Sequence, residues 1–459
     1  MQIVKELLDN RASETSSRPS IHALDAICGG NFFALASSHT DLWKTGKKLI
    51  GPFMTPNAIK PRIPVVERES LQLLQDLVRS PENLCAHIFR FSLSSVTTIV
   101  YGERVTTHDS VYSTEFSGYL EHFLKAISPE SAPVDLIPLL RYIPARFAPW
   151  KGVWKETGLR QRRIYSSFFE DAEREIKSGR RSGNFIETIL NRQEELGLSR
   201  DLAVYLGGSM LDAGTESTSA IVQSLILCLA QYPDVMKKAQ DEIDSYVGDG
   251  RLPVPGDIDG LPYVQAVVKE VHRFRTAAPT GLPHAPTHDL EYRGCIIPKG
   301  ATIMVNVWAI LHDPGQYCGS LSIFFTRNSI KILDHSELFE CPDTFWPERY
   351  LLNPNGTRPG LEKDYTVRTS LHFGSGKRLC PGMHFSNTLM GIVAMRLLWA
   401  FNFSPENGSA KPHNTLDIID GYTEGIAFAP KDLKCKIVPR SQEKIDIITE
   451  YYDNQNRKI

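Results

Sequence analysis

Apolar positions along this chain recur mostly at helical spacing. Leu71, Leu73, Leu74 and Leu77 mark one helix, and Phe89, Phe91, Ile99 and Tyr101 mark another. Ile3 to Arg11 reads as a short amphipathic helix, followed by a loop around Ser16–Ser20. Residues 65–200 read as mostly helical, broken by a Pro- and aromatic-rich connection from Asp135 to Trp154. Helix resumes at Arg160 and runs to Lys177. The longest run follows Ser199, a residue type favoured at helix N-caps, and reaches Gln231, where Tyr232-Pro233 closes it. Apolar residues lie nearly all round it, which predicts deep burial. Pro233 to Val247 is amphipathic and ends at Gly248; Leu261-Pro262 opens the next helix. Asp289–Tyr292, Cys295–Gly300 and Thr302–Val307 then read as a strand-rich region, and Leu416–Pro439 alternates as strands. The polar tail after Ser441 is predicted to fray. The whole reads as mainly α with small β-sheets.

With 459 residues, 42% of them hydrophobic, the chain has ample material for a large core, and no Gly/Ser-rich or charge-rich linker divides it. A formal charge of −2 argues against nucleic acid as the main partner. The eight cysteines form no CxxC pairs, so neither a zinc site nor a disulfide scaffold is suggested. No uninterrupted apolar run is long enough to span a bilayer, and no signal peptide is visible.

The stretch His372-Phe373-Gly374-Ser375-Gly376-Lys377-Arg378-Leu379-Cys380-Pro381-Gly382 carries the chemistry. Gly374 and Gly376 allow a tight turn with positive φ. Pro381 suits the first turn of a helix, which then runs through Met383, Met390, Met395 and Leu398. Exposed N–H groups at that helix start, with Lys377 and Arg378 beside Cys380, would stabilise a thiolate. A lone cysteine is more often a small buried hydrophobe than a ligand, and spacing alone shows only a poised thiol. In the middle of the long helix, Asp212-Ala213-Gly214-Thr215-Glu216-Ser217-Thr218 places an acid and hydroxyls where burial is expensive unless they are used. Gly214 would leave room for a ligand to approach, although a mid-helix serine often just bonds back to its own backbone. Glu270 and Arg273 face the same side of a helix; a surface ion pair is the commoner meaning of such spacing.

Phe373, Gly376, Arg378, Cys380 and Gly382, at their offsets, resemble the haem-ligand loop of the cytochrome P-450 family. Two further motifs follow the family order. Ala213-Gly214-Thr215-Glu216-Ser217 resembles the oxygen-binding helix, with Glu216 in the acid place and Ser217 in the usual Thr place. Phe345-Trp346-Pro347-Glu348-Arg349-Tyr350 resembles the segment whose Arg349 joins Glu270 and Arg273 in a charged triad. The resemblance covers Ile3 to about Pro439. It implies a P-450 fold over residues 1–459 as one domain, N-terminally truncated so that the family's usual membrane anchor and first strands are expected to be lacking.

It also implies a heme b whose iron takes the Cys380 thiolate. Trp43, Lys47 (in an Arg place), Gly214, His284, Phe373 and Arg378 would surround the cofactor. Glu216 and Ser217 would pass protons during dioxygen activation. Serine lacks the methyl that fixes the threonine rotamer, so coupling is expected to be looser. Phe32, Phe33, Leu211, Ala213, Thr280 and Ile426 are candidate pocket residues. Electrons would come from NADPH through a cytochrome P-450 reductase docking near Lys377, at an endoplasmic reticulum membrane facing the cytosol. The expected activity is a monooxygenase acting on an apolar small molecule, and the motif style resembles filamentous-fungal members of specialised metabolism. The alternatives are a haem-thiolate isomerase or dehydratase needing no reductase, and a non-catalytic remnant. Residues Cys318 to Glu340 depart from the family: an apolar insert in a surface connection is hard to place. A retained intron would explain it, and it would be expected to disturb the triad.

Overall fold

The computed structural model describes residues 1–128, 133–312, 323–326, 329–332, 338–361, 370–406, 420–431 and 433–457. In chain order the longer helices are α1 (His22–Cys28), α2 (Asp41–Phe53), α3 (Ile63–Arg79), α4 (Leu84–Tyr101) and α5 (Val111–Ile127). They continue with α6 (Pro149–Lys177), α7 (Phe185–Arg192), α8 (Arg200–Gln231), α9 (Pro233–Tyr246) and α10 (Pro262–Phe274). The last are α11 (Met383–Ala400) and α12 (Gln442–Asn456).

Local signals set several of these ends. Ser199 Oγ accepts from the Leu202 N–H at 3.2 Å and starts α8. Thr40 Oγ1 does the same for α2 through the Trp43 N–H at 3.3 Å. Both oxygens of Glu242 accept from the Tyr263 and Val264 N–H groups at 2.8 and 2.9 Å, so a carboxylate satisfies the start of α10. Helix α6 begins at Pro149, eleven residues earlier than Arg160, because Pro149 serves as its first-turn residue. The tail is not frayed. Ser441 Oγ caps α12, Ile448 is buried, and the Lys444 ammonium pairs with Asp249 at 2.6 Å over the Trp399 ring.

Helix α8 is shared by two cores. Its C-terminal half packs with α3, α9, α10 and α11, its N-terminal half with α1, α2, α4, α5, α6 and α7. Arg90 of α4 is buried and matched by Glu69 at 2.7 Å and Asp76 at 3.0 Å. By length and composition the segment Pro81–Tyr101 would pass for a membrane span, but most of it is buried in this core.

The strands are short. β1 (Leu290–Tyr292) pairs antiparallel with β2 (Cys295–Ile297). β3 (Thr302–Val305) lies parallel to β5 (Ser329–Ile332), which pairs antiparallel with β4 (Ile323–Thr326). The apolar insert therefore places a hairpin on the edge of β3. The rest of 318–337, and residues 407–419, lie outside the described residues, and of the expected Leu416–Pro439 strand region only Cys435–Pro439 forms a strand among the described residues. β6 (Phe401–Pro405) and β7 (Cys435–Pro439) form the last antiparallel pair.

The charged triad forms with the insert present. Arg273 donates twice to Glu270, both at 2.8 Å, and Arg349 Nε lies 3.2 Å from the same carboxylate. All three are buried, so the ExxR pair is a core feature and not a surface one.

Candidate active site

The cysteine turn closes on itself. The Cys380 N–H donates to the Phe373 carbonyl at 2.8 Å. Gly374 sits at φ +89° and Gly376 at φ +57°, backbone that side chains resist. A Cβ on Gly376 would also lie 2.0 Å from the Leu8 carbonyl. The N-terminal segment thus presses on the turn, and the Gly376 N–H donates to Asp9 at 2.8 Å. Helix α11 starts at Met383, so Pro381 stays in the turn. Burial pushes the Cys380 thiol up, while the N–H groups of Gly382 and Met383 pull it down. The expected help from Lys377 and Arg378 is not found. Lys377 is exposed, and Arg378 reaches away to the Ser16 and Ala36 carbonyls at 2.7 and 2.5 Å, over the Trp43 ring.

Those contacts gather a cluster of cations. Arg18 is buried and, among the described residues, donates to the carbonyls of Ala34, Leu282 and Pro283. Burial, then the nearby Arg378 charge, lowers it to about 9; burial lowers Arg378 to about 10. Lys47 lies 5.1 Å from the Trp43 ring, and burial followed by Lys377 and Arg378 lowers it too. His284 is buried against the Thr15 carbonyl at 3.0 Å. Burial, then Arg18, pushes it to about 3, so its ring is neutral. Among the described residues no carboxylate is in ion-pair range of Arg18, Lys47, Lys377 or Arg378, whereas Arg90, Arg273 and Arg349 are all matched. An unmatched buried guanidinium is costly, so this cluster fits a dianionic group placed beside the cysteine turn. The spacing of the chain had not marked Arg18; its Ser-Arg-Pro context looked like plain loop.

The second half of the site lies on α8. Ala213 and Ser217, one turn apart, are exposed in the middle of an otherwise buried helix, so this strip borders an opening. Ser217 Oγ donates back to the Ala213 carbonyl at 2.6 Å. Glu216 is half-buried; burial, then the neighbouring Asp212, raises it to about 7 against an N–H bond from Ala427. One expectation fails here. Gly214 does not leave room for a ligand: a Cβ there would lie 2.8 Å from Val96 of α4, so the glycine serves helix packing. Leu211 is fully buried in the core. Phe32 packs near Phe123 of α5 at 5.9 Å, while Thr280 is exposed.

The family model described as cytochrome P-450 matches residues 1–319 and 327–434, and its break falls inside the insert. The chain is 34% identical over 455 residues to cytochrome P-450 monooxygenase ple5B of Rhodocybe pseudopiperita, covering 98% of this chain and 82% of that one. It is 32% identical to monooxygenase macC of Penicillium terrestre, covering 100% and 83%. A zebrafish cytochrome P-450 solved with progesterone superposes with a TM-score of 0.73 at 21% identity, covering 96% and 92%.

Proposed function

The chain belongs to the cytochrome P-450 family and is a monooxygenase, and on that footing we propose that Cys380 is the thiolate ligand of its haem iron. The observation that carries this reading is the unmatched cation cluster next to the cysteine turn. Arg18, Arg378 and Lys47 would take the haem carboxylates, with neutral His284 and the Trp43 ring beside them. Phe373 would hold the turn through its carbonyl. The cofactor, when bound, supplies dioxygen activation, and thiolate ligation favours O–O cleavage.

The chain's own residues do the rest. Cys380 is held by two N–H donors on a turn that cannot relax, so its sulfur is presented in one place. Glu216, raised to about 7, is in mid-titration near neutral pH, so it can both hold and release a proton there, and the Ser217 hydroxyl stands on the exposed strip one residue on. We read these two as the groups that deliver protons. Serine at this place, tied to the Ala213 carbonyl, supports looser coupling of oxygen use to product.

The substrate class is an apolar small molecule of the kind oxidised in fungal specialised metabolism, supported by the similarity to fungal monooxygenases. NADPH electrons would arrive through a reductase with an acidic face, docking on the exposed ammonium groups of Lys44, Lys48 and Lys377. The short turns between Pro133 and Phe147 expose Leu136, Leu139, Tyr142 and Phe147, each more than 60% accessible, next to Arg141 and Arg146. That strap supports contact with a membrane surface. Residues 1–459 are read as one domain, with 318–340 as an inserted segment; sequencing the spliced transcript decides whether the insert is expressed. The activity is tested with purified protein, a fungal reductase, NADPH and labelled dioxygen on apolar fungal metabolites. One labelled oxygen atom in product supports the reading. NADPH-independent conversion without label would replace it with an isomerase or dehydratase.

A further inference from the structure

Asp212 lies one turn before Glu216 on α8, and the reading above does not use it. It is buried, and its Oδ2 accepts from the hydroxyls of Tyr119 on α5, at 3.0 Å, and Tyr165 on α6. The two hydroxyls lie 3.3 Å apart, and Gln161 Nε2 donates to them at 2.7 and 3.2 Å. Helix α8 is shaped for this contact. A Cβ on Gly208 would lie 2.2 Å from the Tyr165 ring, so only glycine lets that ring lie flat against the helix. Glycine inside a helix costs about 1 kcal/mol relative to alanine, so the position is held for a reason.

The groups around Asp212 are Tyr101 from α4, Tyr119 from α5, Tyr165 and Gln161 from α6, and Cys28 from α1, with Glu216 on its own helix. Among the described residues none of these is a cation. Facing Glu216 are Asp212 and the Ala427 N–H. Residues i and i+4 of a helix are neighbours, so two carboxyls share one uncharged region. Two like charges so placed cannot both ionise easily, and the protons leave in steps that belong to the pair. The partners decide which carboxyl yields first. Two hydroxyl donors on Asp212 stabilise an anion more than the single N–H on Glu216. Asp212 is also sealed from the opening, whereas Glu216 is half-buried, so a direct contact of Asp212 with substrate is not the use the geometry favours.

We propose that Asp212 is a positioning residue for Glu216: held by Tyr119 and Tyr165, it takes the negative charge of the pair, and that charge keeps a proton on Glu216 at the edge of the opening. The inference rests on the reading of Glu216 as a proton-delivering acid. Burial raises both carboxyls to about 7, which puts the pair in the neutral range where this choice matters.

The test is an infrared titration of the protonated-carboxyl band in the purified ferric holoprotein, with Glu216→Gln identifying the Glu216 contribution. Asp212→Asn should lower the Glu216 midpoint by about one pH unit. Tyr165→Phe, which keeps the carboxyl but removes one donor, should move it the same way by less, and it carries the test should Asp212→Asn not fold. The alkaline limb of product formed per NADPH should move with the midpoint. A Glu216 midpoint unmoved in the folded variants overturns the proposal and leaves Asp212 a packing residue. A midpoint that moves while the turnover limb stays put supports the carboxyl coupling and overturns the role given to Glu216.

Discussion

The two sides of the site are incomplete in opposite ways. Beside the cysteine turn, Arg18, Arg378 and Lys47 gather with no carboxylate in reach among the described residues. On α8, Asp212 and Glu216 gather with no cation beside them among the described residues. The first imbalance is not relieved by titration at neutral pH, because Arg18 and Arg378, lowered only to about 9 and about 10, keep their protons there. It calls for a permanent anion, and the haem carboxylates supply one. The second imbalance is relieved by titration: with both acids raised to about 7, the pair keeps part of its protons near neutral pH. On the proposed reading, one side would hold a group and the other would store and release a proton. The buried triad of Glu270, Arg273 and Arg349 shows what a charge cluster looks like when it is complete.

The largest effect should come from breaking that complete cluster. Glu270→Ala leaves two buried guanidiniums unmatched and should cost about 3–5 kcal/mol, read as loss of folded protein in denaturant unfolding. Arg18→Met sharpens the contrast, since the cation side should respond with opposite signs. The cofactor-free protein should unfold at equal or higher denaturant concentration, because an unmatched charge is gone. Haem transfer to apomyoglobin should speed up by about ten-fold or more, the loss of one charge-assisted bond. A loss of cofactor-free stability like that of Glu270→Ala would mean that the cluster is already complete.

On the acid side the sign depends on pH. Asp212 has a folded pKa raised from the ordinary carboxylate range to about 7, so the folded state holds more protons than the unfolded one between those values. Its relative stabilisation is full below about pH 4 and is lost as pH rises through 7. Asp212→Asn should flatten this loss, gaining about 1–3 kcal/mol at pH 8 and little at pH 4. A gain equal at both pH values would remove the titration from the account. The smallest effect is Ser217→Thr. Restricting the hydroxyl rotamer is worth about 0.5 kcal/mol, so product per NADPH should rise about two-fold at most. No change would show that the serine is already held by its bond to Ala213.

Much of this was legible in the sequence because the signals are local. Ser199 and Tyr232-Pro233 fix both ends of α8, and Gly374 and Gly376 take the positive φ their turn needs. The partnership of Arg349 with Glu270 came from motif order and holds in space. What stayed hidden depends on which way a side chain turns. Gly214 looked like ligand space, yet it accommodates Val96 from a helix more than a hundred residues earlier. Arg378 sits two residues from Cys380 but points elsewhere, and Arg18 meets it across more than three hundred and fifty residues. The polar tail becomes a helix because Lys444 and Ile448 find Asp249 and a core that no local pattern announces.

Thiolate ligation by Cys380 is tested most directly by the reduced carbon monoxide spectrum of the protein. The wild-type chain loaded with haem should give the red-shifted Soret band of thiolate ligation, and Cys380→Ala should lose it while remaining folded by circular dichroism. A thiolate band that persists in Cys380→Ala, or that is missing from the folded, haem-loaded wild type, would contradict the assignment.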